Sequence, residues 1–263
     1  MSSESAGVVV RRVADHVVEV VLDRPSALNA VSTALALQLT SVLREIAGDG
    51  TVRALVLSSS QDRAFCVGAD LKERAGFSNE QLLGQRRVIR ALFEAVRELP
   101  MPAVAAVGGF ALGGGFELAL SCDLIVADAR AVLGLTEVTV GLVPGGGGTQ
   151  LLARRIGAGR AADLILTGRK VDAAEAWQLG IVDRLIDAGA VRSVALDVAA
   201  AVAANSPLAV RAAKRALHAG LGVSLVDGLD IEDAAWRAAA VSADRREGIS
   251  AFTEKRSPNW SGT

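Results

Sequence analysis

Strand-like runs rich in β-branched residues alternate with helix-period stretches along the first 190 residues, and this alternation narrows the possible folds more than any other feature of the chain. Val8 to Val13 and Val17 to Leu22 read as an opening pair of strands, closed by a loop at Arg24-Pro25 and Ala27-Leu28-Asn29-Ala30. Ser32 or Thr33 caps a helix whose apolar positions Leu35, Leu39, Val42, Leu43 and Ile46 recur at helical spacing until Gly48 and Gly50. Val52 to Ser58 reads as a buried strand, Asn79 to Leu99 as a helix, Val104 to Val107 as a strand, Gly114 to Leu120 as a helix and Leu124 to Ala127 as a strand. A strand that returns through a helix pairs in parallel, so the pattern implies a layered α/β fold. Val191 to Phe252 is almost wholly helical, broken at Asn205-Ser206-Pro207 and Gly220-Leu221-Gly222. The expected organisation is therefore an α/β core over residues 1–190 and a helical region over 191–263. No strict repeat or low-complexity segment is visible, which leaves strand–turn–helix units of irregular length.

Composition removes several functions. With 51% apolar residues among 263, the chain can bury a large core. Its 28 basic and 29 acidic side chains leave a formal charge of −1, which offers no bulk potential for nucleic acid. Two cysteines, Cys66 and Cys122, cannot make a disulfide framework or a four-thiolate metal site, and no metal is expected. Nothing at the N-terminus reads as a signal peptide, so a cytoplasmic location is expected. The longest apolar stretch, Pro100 to Phe116, contains two prolines and five glycines and is a poor membrane span. The two histidines, His16 and His218, are not placed to serve a nucleophile and read as ordinary surface or core residues. There is no G-x-G-x-x-G and no P-loop, which sets aside dehydrogenase and NTPase readings.

Three glycine-containing segments can carry chemistry. In Ala103 to Asp123 a short apolar strand runs into Gly113-Gly114-Gly115 and then a helix bearing Glu117. Such a turn lets the backbone approach a ligand and leaves helix N-terminal N–H groups free, as an oxyanion hole requires; it also serves as a plain tight turn for helix packing. Ala64 to Lys72 is a second glycine loop able to supply another N–H donor. The third segment places Glu137 in apolar company ahead of Pro144 and the four glycines Gly145 to Gly148. A carboxyl so placed is either a paired or solvent-reaching structural residue or a general acid or base with a raised pKa.

Taken together, the R-P-x-A-L-N-A stretch at Arg24 to Ala30, A-F-C-x-G-A-D-L-K at Ala64 to Lys72, A-L-G-G-G-x-E-L-A at Ala111 to Ala119, P-G-G-G-G-T-Q at Pro144 to Gln150 and D-R-R-E-G-I-S-A-F-T-E-K-R at Asp244 to Arg256 resemble the enoyl-CoA hydratase/isomerase, or crotonase, superfamily. The resemblance spans essentially the whole chain. It implies a crotonase-like spiral of ββα units with a C-terminal helical oligomerisation region, assembled as a homotrimer or homohexamer, acting on an acyl-CoA thioester. It places the oxyanion-hole donors at the N–H groups of Ala69 and Gly114 and the paired carboxylates at Glu117 and Glu137. It puts CoA along Arg24, Ala27, Ala30 and the run Ala69, Asp70, Leu71 and Lys72, with Gly114 at the thioester and Phe252 and Lys255 reaching in from a neighbouring subunit. CoA is part of the substrate, and no separate cofactor is implied.

The chemistry suits these residue types. Hydrating a 2-enoyl thioester develops enolate charge on the thioester oxygen, where two N–H donors act, and two carboxylates can divide water activation and Cα protonation. Retention of both glutamates favours hydration over isomerisation, which needs one. The run through Arg74 and the segment Gly228 to Asp233 also look like the methylglutaconyl-CoA hydratase branch, whose substrate carries a free carboxylate; RNA binding, known in that branch, finds no lysine-rich face here. An acyl-CoA hydrolase and a non-catalytic scaffold subunit are the readings from other classes.

Overall fold

The computed structural model describes residues 7–263. The residues on which the signal-peptide reading partly rests precede Gly7 and lie outside the described residues. The chain opens with the antiparallel hairpin β1 (Val8–Ala14) and β2 (Val17–Leu22), passes a 3₁₀ turn at Pro25–Ala27 and enters α1 (Thr33–Gly48). Ser32 is the cap, its hydroxyl accepting from Leu35 N at 3.2 Å.

Three passes of one plan follow. The first comprises β3 (Ala54–Ser59), β4 (Ala64–Cys66), and the helices α2 (Leu71–Arg74) and α3 (Asn79–Arg97). The second comprises β5 (Ala103–Val107), β6 (Phe110–Leu112) and α4 (Gly114–Leu120). The third comprises β7 (Leu124–Asp128), β8 (Val132–Gly134), a 3₁₀ turn at Glu137–Val140, α5 (Gly148–Ile156) and α6 (Ala158–Thr167). The chain continues through β9 (Val171–Asp172), α7 (Ala173–Gln178), β10 (Arg184–Ile186), α8 (Val191–Ala203), α9 (Pro207–Gly220), α10 (Leu225–Ala240) and α11 (Ala243–Glu254).

The leading strand of each pass joins one sheet, ordered β1-β2-β3-β5-β7-β10, and the second strand joins another, ordered β4-β6-β8-β9. Every neighbouring pair is parallel except β1 with β2 and β8 with β9. This is the expected spiral of ββα turns. Apolar periodicity missed β4, β6 and β8, because three residues are too few to display a period of two and the flanking glycines read as turns. The segment from Ala64 is accordingly a strand for its first three residues and a loop only afterwards.

The central strands of the six-stranded sheet are buried on both faces, β2 along its whole length, whereas the edge strand β1 is largely exposed. One face packs against α1, α3 and α4 through Leu35, Leu39, Leu92 and Phe116. The other receives α8, whose Ala195, Val198 and Ala199 lie on Val56, Val104 and Val126. The one charge inside β2, Glu19, is fully buried and held by Arg192 Nε and Nη2, each at 2.7 Å, and by Ser58 Oγ at 2.8 Å. This pair anchors α8 to the sheet and balances a charge that burial alone would make costly. Among the described residues no single helix is long and apolar enough to cross a membrane.

Candidate active site

The site forms where the second strands of the passes end. Between β6 and α4 the chain turns at Gly113, whose φ of 50° and ψ of −125° suit glycine alone. Close approach then demands glycine at 115, since a Cβ there would stand 2.0 Å from Cys66 O. The first turn of α4 is thereby drawn onto the end of β4. Ala69 follows, bridged to Val31: Val31 N donates to Gly68 O at 2.7 Å and Asp70 N to Val31 O at 3.1 Å. In a parallel bridge the intervening N–H points away from that partner, so the Ala69 N–H is turned outward. A Cβ on Gly114 would lie 3.6 Å from Gly68 Cα and 3.9 Å from Ala69 N, which makes the two segments neighbours. Neither the Ala69 nor the Gly114 N–H donates to any acceptor among the described residues.

Two carboxyl groups stand beside these donors in unlike surroundings. Glu117, in the first turn of α4, is 2% exposed, and its Oε1 accepts from Gly146 N at 2.7 Å and Gly148 N at 2.8 Å. Burial pushes its pKa up, opposed by the N–H groups of the glycine loop. Glu137 opens the 3₁₀ turn and leans on the start of α4, where a Cβ on Gly113 would meet its Oε1 at 3.1 Å. Its Oε2 is buried without a hydrogen-bond partner. Burial pushes the Glu137 carboxyl up to about 7, and the charge of Glu117 adds to the effect. Neither glutamate forms an ion pair among the described residues, which sets aside the paired structural reading for Glu137. The arrangement can hold a proton on one carboxyl near neutral pH and a carboxylate beside it, next to two free N–H donors.

The residues expected along CoA divide into two groups. Arg24, Ala27, Ala30, Asp70, Leu71 and Lys72 come together at one edge. Arg24 Nη1 donates to Ala30 O at 2.6 Å and lies 3.3 Å from Asp70 Oδ2, while Asp70 caps α2 by accepting from Glu73 N at 3.2 Å. The Arg24 guanidinium is thus a strut between the two loops, and the exposed cation at this edge is Lys72. Asn29, at φ 57° and fully buried, locks the same corner through Ser59 Oγ at 2.8 Å and Phe65 O at 2.9 Å. Phe252 and Lys255 are not brought to this edge within the chain. They sit at the outer end of α11, which packs on α10 and against Trp260, and Phe252 is 87% exposed.

Several residues outside the site are resolved as well. Cys66 and Cys122 are buried and burial pushes each thiol up to about 12, the behaviour of small hydrophobes. Asp123 gathers Lys214 Nζ at 2.7 Å, His218 Nε2 at 2.9 Å and Ala103 N at 2.7 Å, tying α9 to the sheet. The sequence reading missed the donors that hold Glu117, the N–H groups of Gly146 and Gly148. The signal was present as four consecutive glycines, but which acceptor such a loop faces depends on contacts about 30 residues apart in the chain.

Comparison with known proteins agrees with this geometry. The sequence model for the family described as enoyl-CoA hydratase/isomerase matches residues 12–263. A crystal structure of enoyl-CoA hydratase from Bacillus anthracis superposes with a TM-score of 0.96 at 42% identity, covering 98% of this chain and 100% of that one. The human mitochondrial enoyl-CoA hydratase domain-containing protein 2 is 40% identical over 252 residues, 94% of this chain and 86% of its own. Human mitochondrial methylglutaconyl-CoA hydratase is 39% identical over 245 residues, 92% of this chain and 72% of its own. This chain belongs to the enoyl-CoA hydratase/isomerase family.

Proposed function

We propose that the chain is an enoyl-CoA hydratase, adding water across the 2,3 double bond of a 2-enoyl-CoA to give a 3-hydroxyacyl-CoA. The observation that carries this reading is the Glu137 carboxyl, its Oε2 buried without a partner, facing a hydrogen-bonded Glu117 beside two unused N–H groups. The thioester oxygen accepts from Ala69 N and Gly114 N, which draws electron density from Cβ and stabilises the enolate. Glu117 removes a proton from water as its oxygen bonds to Cβ and the π pair moves onto the thioester. Glu137 then delivers a proton to Cα as the enolate collapses, and proton exchange between the two carboxyls through solvent restores the pair. CoA enters and leaves as part of the substrate, along the edge of Arg24, Ala27, Ala30, Asp70, Leu71 and Lys72. Assembly as a trimer or a dimer of trimers belongs to the same reading; it is supported by the exposed apolar side chains Leu217, Leu225, Val226, Trp236 and Phe252 on the last three helices.

The test is hydration of crotonyl-CoA by purified protein, followed as loss of the ultraviolet absorbance of the conjugated thioester. Turnover with a 3-hydroxyacyl product is expected. Free thiol release without hydration would favour a hydrolase, a shifted double bond an isomerase, and no reaction with any 2-enoyl-CoA a non-catalytic scaffold.

A second reading, a carboxylated enoyl-CoA such as the methylglutaconyl thioester, is favoured by two guanidinium groups behind the site. Arg86 Cζ lies 3.6 Å from where a Cβ on Gly145 would stand. Among the described residues Arg74 donates only Nε, to Gln85 Oε1 at 2.8 Å; burial lowers its pKa, the charge of Glu73 opposes this and Arg86 adds repulsion. A charge-assisted hydrogen bond to a substrate carboxylate contributes about 1.5–3 kcal/mol. On this reading Arg86→Met lowers kcat/KM for glutaconyl-CoA about 10- to 100-fold while that for crotonyl-CoA stays within about threefold. Equal effects on both substrates would rule it out.

A further inference from the structure

We infer that Arg97 is a positioning residue for Glu117, acting through Gly146 of the glycine loop; the inference rests on the hydratase reading above. Arg97 is the last residue of α3, and its Nη1 donates to Gly146 O at 2.9 Å. The same nitrogen lies 3.5 Å from where a Cβ on Gly147 would stand. Gly146, the residue so held, donates its own N–H to Glu117 Oε1 at 2.7 Å, and Gly148 donates to the same oxygen at 2.8 Å. A charge-assisted hydrogen bond to one carbonyl of a short loop fixes the position of that loop. Arg97 therefore fixes the loop whose N–H groups hold Glu117, without direct contact between the two side chains.

Two features of the loop make this clamp necessary. Gly147 stands at φ 125°, ψ 0°, outside the regions that a chain adopts without constraint. Among the described residues, the only side chains that hydrogen-bond Gly145 to Gly148 are Glu117 and Arg97. Phe93, one turn earlier on α3, supports the loop from below by packing under Gly146, where a Cβ would come within 2.4 Å of its ring. Among the described residues Arg97 has no carboxylate within 4 Å, and Glu94, four residues from Arg90, is taken by Arg90 Nε at 2.6 Å. The guanidinium is left for the loop. Removing it frees the loop to relax, so the carboxylate that activates water loses both its position and part of its stabilisation.

The experiment compares wild type with Arg97→Gln, Arg97→Met and Arg97→Lys on crotonyl-CoA, with thermal melting of each. Arg97 is partly solvent-exposed, so Gln is accommodated; Met serves as a second loss variant. R97Q and R97M are expected to lower kcat about 10- to 30-fold with KM within about twofold, because the step that uses Glu117 slows while CoA binding is untouched. R97K, which keeps the charge and one donor, is expected to recover kcat to within about threefold of wild type. Unchanged kcat in both loss variants, a raised KM with kcat intact, or an R97K as slow as R97Q would each overturn the proposal. A wild type inactive on every 2-enoyl-CoA would overturn the hydratase reading and this inference with it, whereas an active wild type matched by R97Q would remove the inference alone.

Discussion

Glu137→Gln is expected to lower kcat for crotonyl-CoA hydration by about 10² to 10⁴, equivalent to roughly 3–5 kcal/mol of barrier. Glutamine keeps the shape of the side chain and its contact with Gly113 but has no proton to give to Cα. KM should change little, since the CoA contacts lie elsewhere. The pH dependence follows from the same group. The proton donor is the protonated form, and burial holds the Glu137 carboxyl at about 7. Wild-type activity should therefore fall as pH rises above about 7, and this limb should vanish from the residual activity of E137Q.

The stability consequence has the opposite sense. The folded-state pKa lies above the ordinary value of 4.5, so between 4.5 and about 7 the folded chain binds the proton more tightly than the unfolded chain does. The contribution of Glu137 to stability is present below that window and is lost as pH rises through it. Above pH 7 the fold carries a carboxylate whose Oε2 has no donor, with Glu117 the charged group facing it. Glutamine relieves this, so E137Q should be more stable than wild type at pH 8, by about 1 kcal/mol once solvent screening of the partly exposed side chain is allowed for, with little difference at pH 4.5. Melting curves at the two pH values check the claim. A variant within tenfold of wild-type activity, or one less stable than wild type at pH 8, would remove Glu137 from the role of donor.

Gly114→Pro is expected to cost about 10² to 10³ in kcat, the usual effect of deleting one oxyanion donor. Proline is tolerated at the first position of a helix, and the N–H it removes makes no hydrogen bond within the described chain, so the fold has little to lose. Gly114→Ala is the control. Its Cβ would meet only ordinary contacts, 3.6 Å to Gly68 Cα and 3.7 Å to Phe93 Cζ, and its N–H survives. G114A should remain within about fivefold of wild type, because only the proline removes the donor. Equal losses in the two variants would assign the effect to packing and leave the thioester oxygen without this donor.

The legible part of the site was local in origin. A strand running into consecutive glycines and then a helix can be recognised in Ala103 to Leu120 because each element is set by neighbouring residues. Gly114–Leu120 is helical over the range read from sequence, and Ser32 caps α1 as its hydroxyl and position suggest. The three-residue strands β4, β6 and β8 were not legible, since their existence depends on pairing with one another rather than on any pattern within them.

The sequence by itself determined the alternation of strands and helices, the two glutamates and the glycine-bearing turns, because apolar periodicity, capping and backbone freedom act over a few residues. Only the tertiary structure decided what those pieces do to one another. Ala69 and Gly114 are neighbours because successive passes of the spiral stack their second strands in parallel. Glu117 receives donors from a loop in the next pass, while Glu137, in similar apolar company, has one oxygen with none. Arg24, expected along CoA, is engaged by Asp70 across 46 residues. A carboxyl or guanidinium group takes its character from partners and burial, and these are set by the stacking of the passes, which no stretch of one pass encodes.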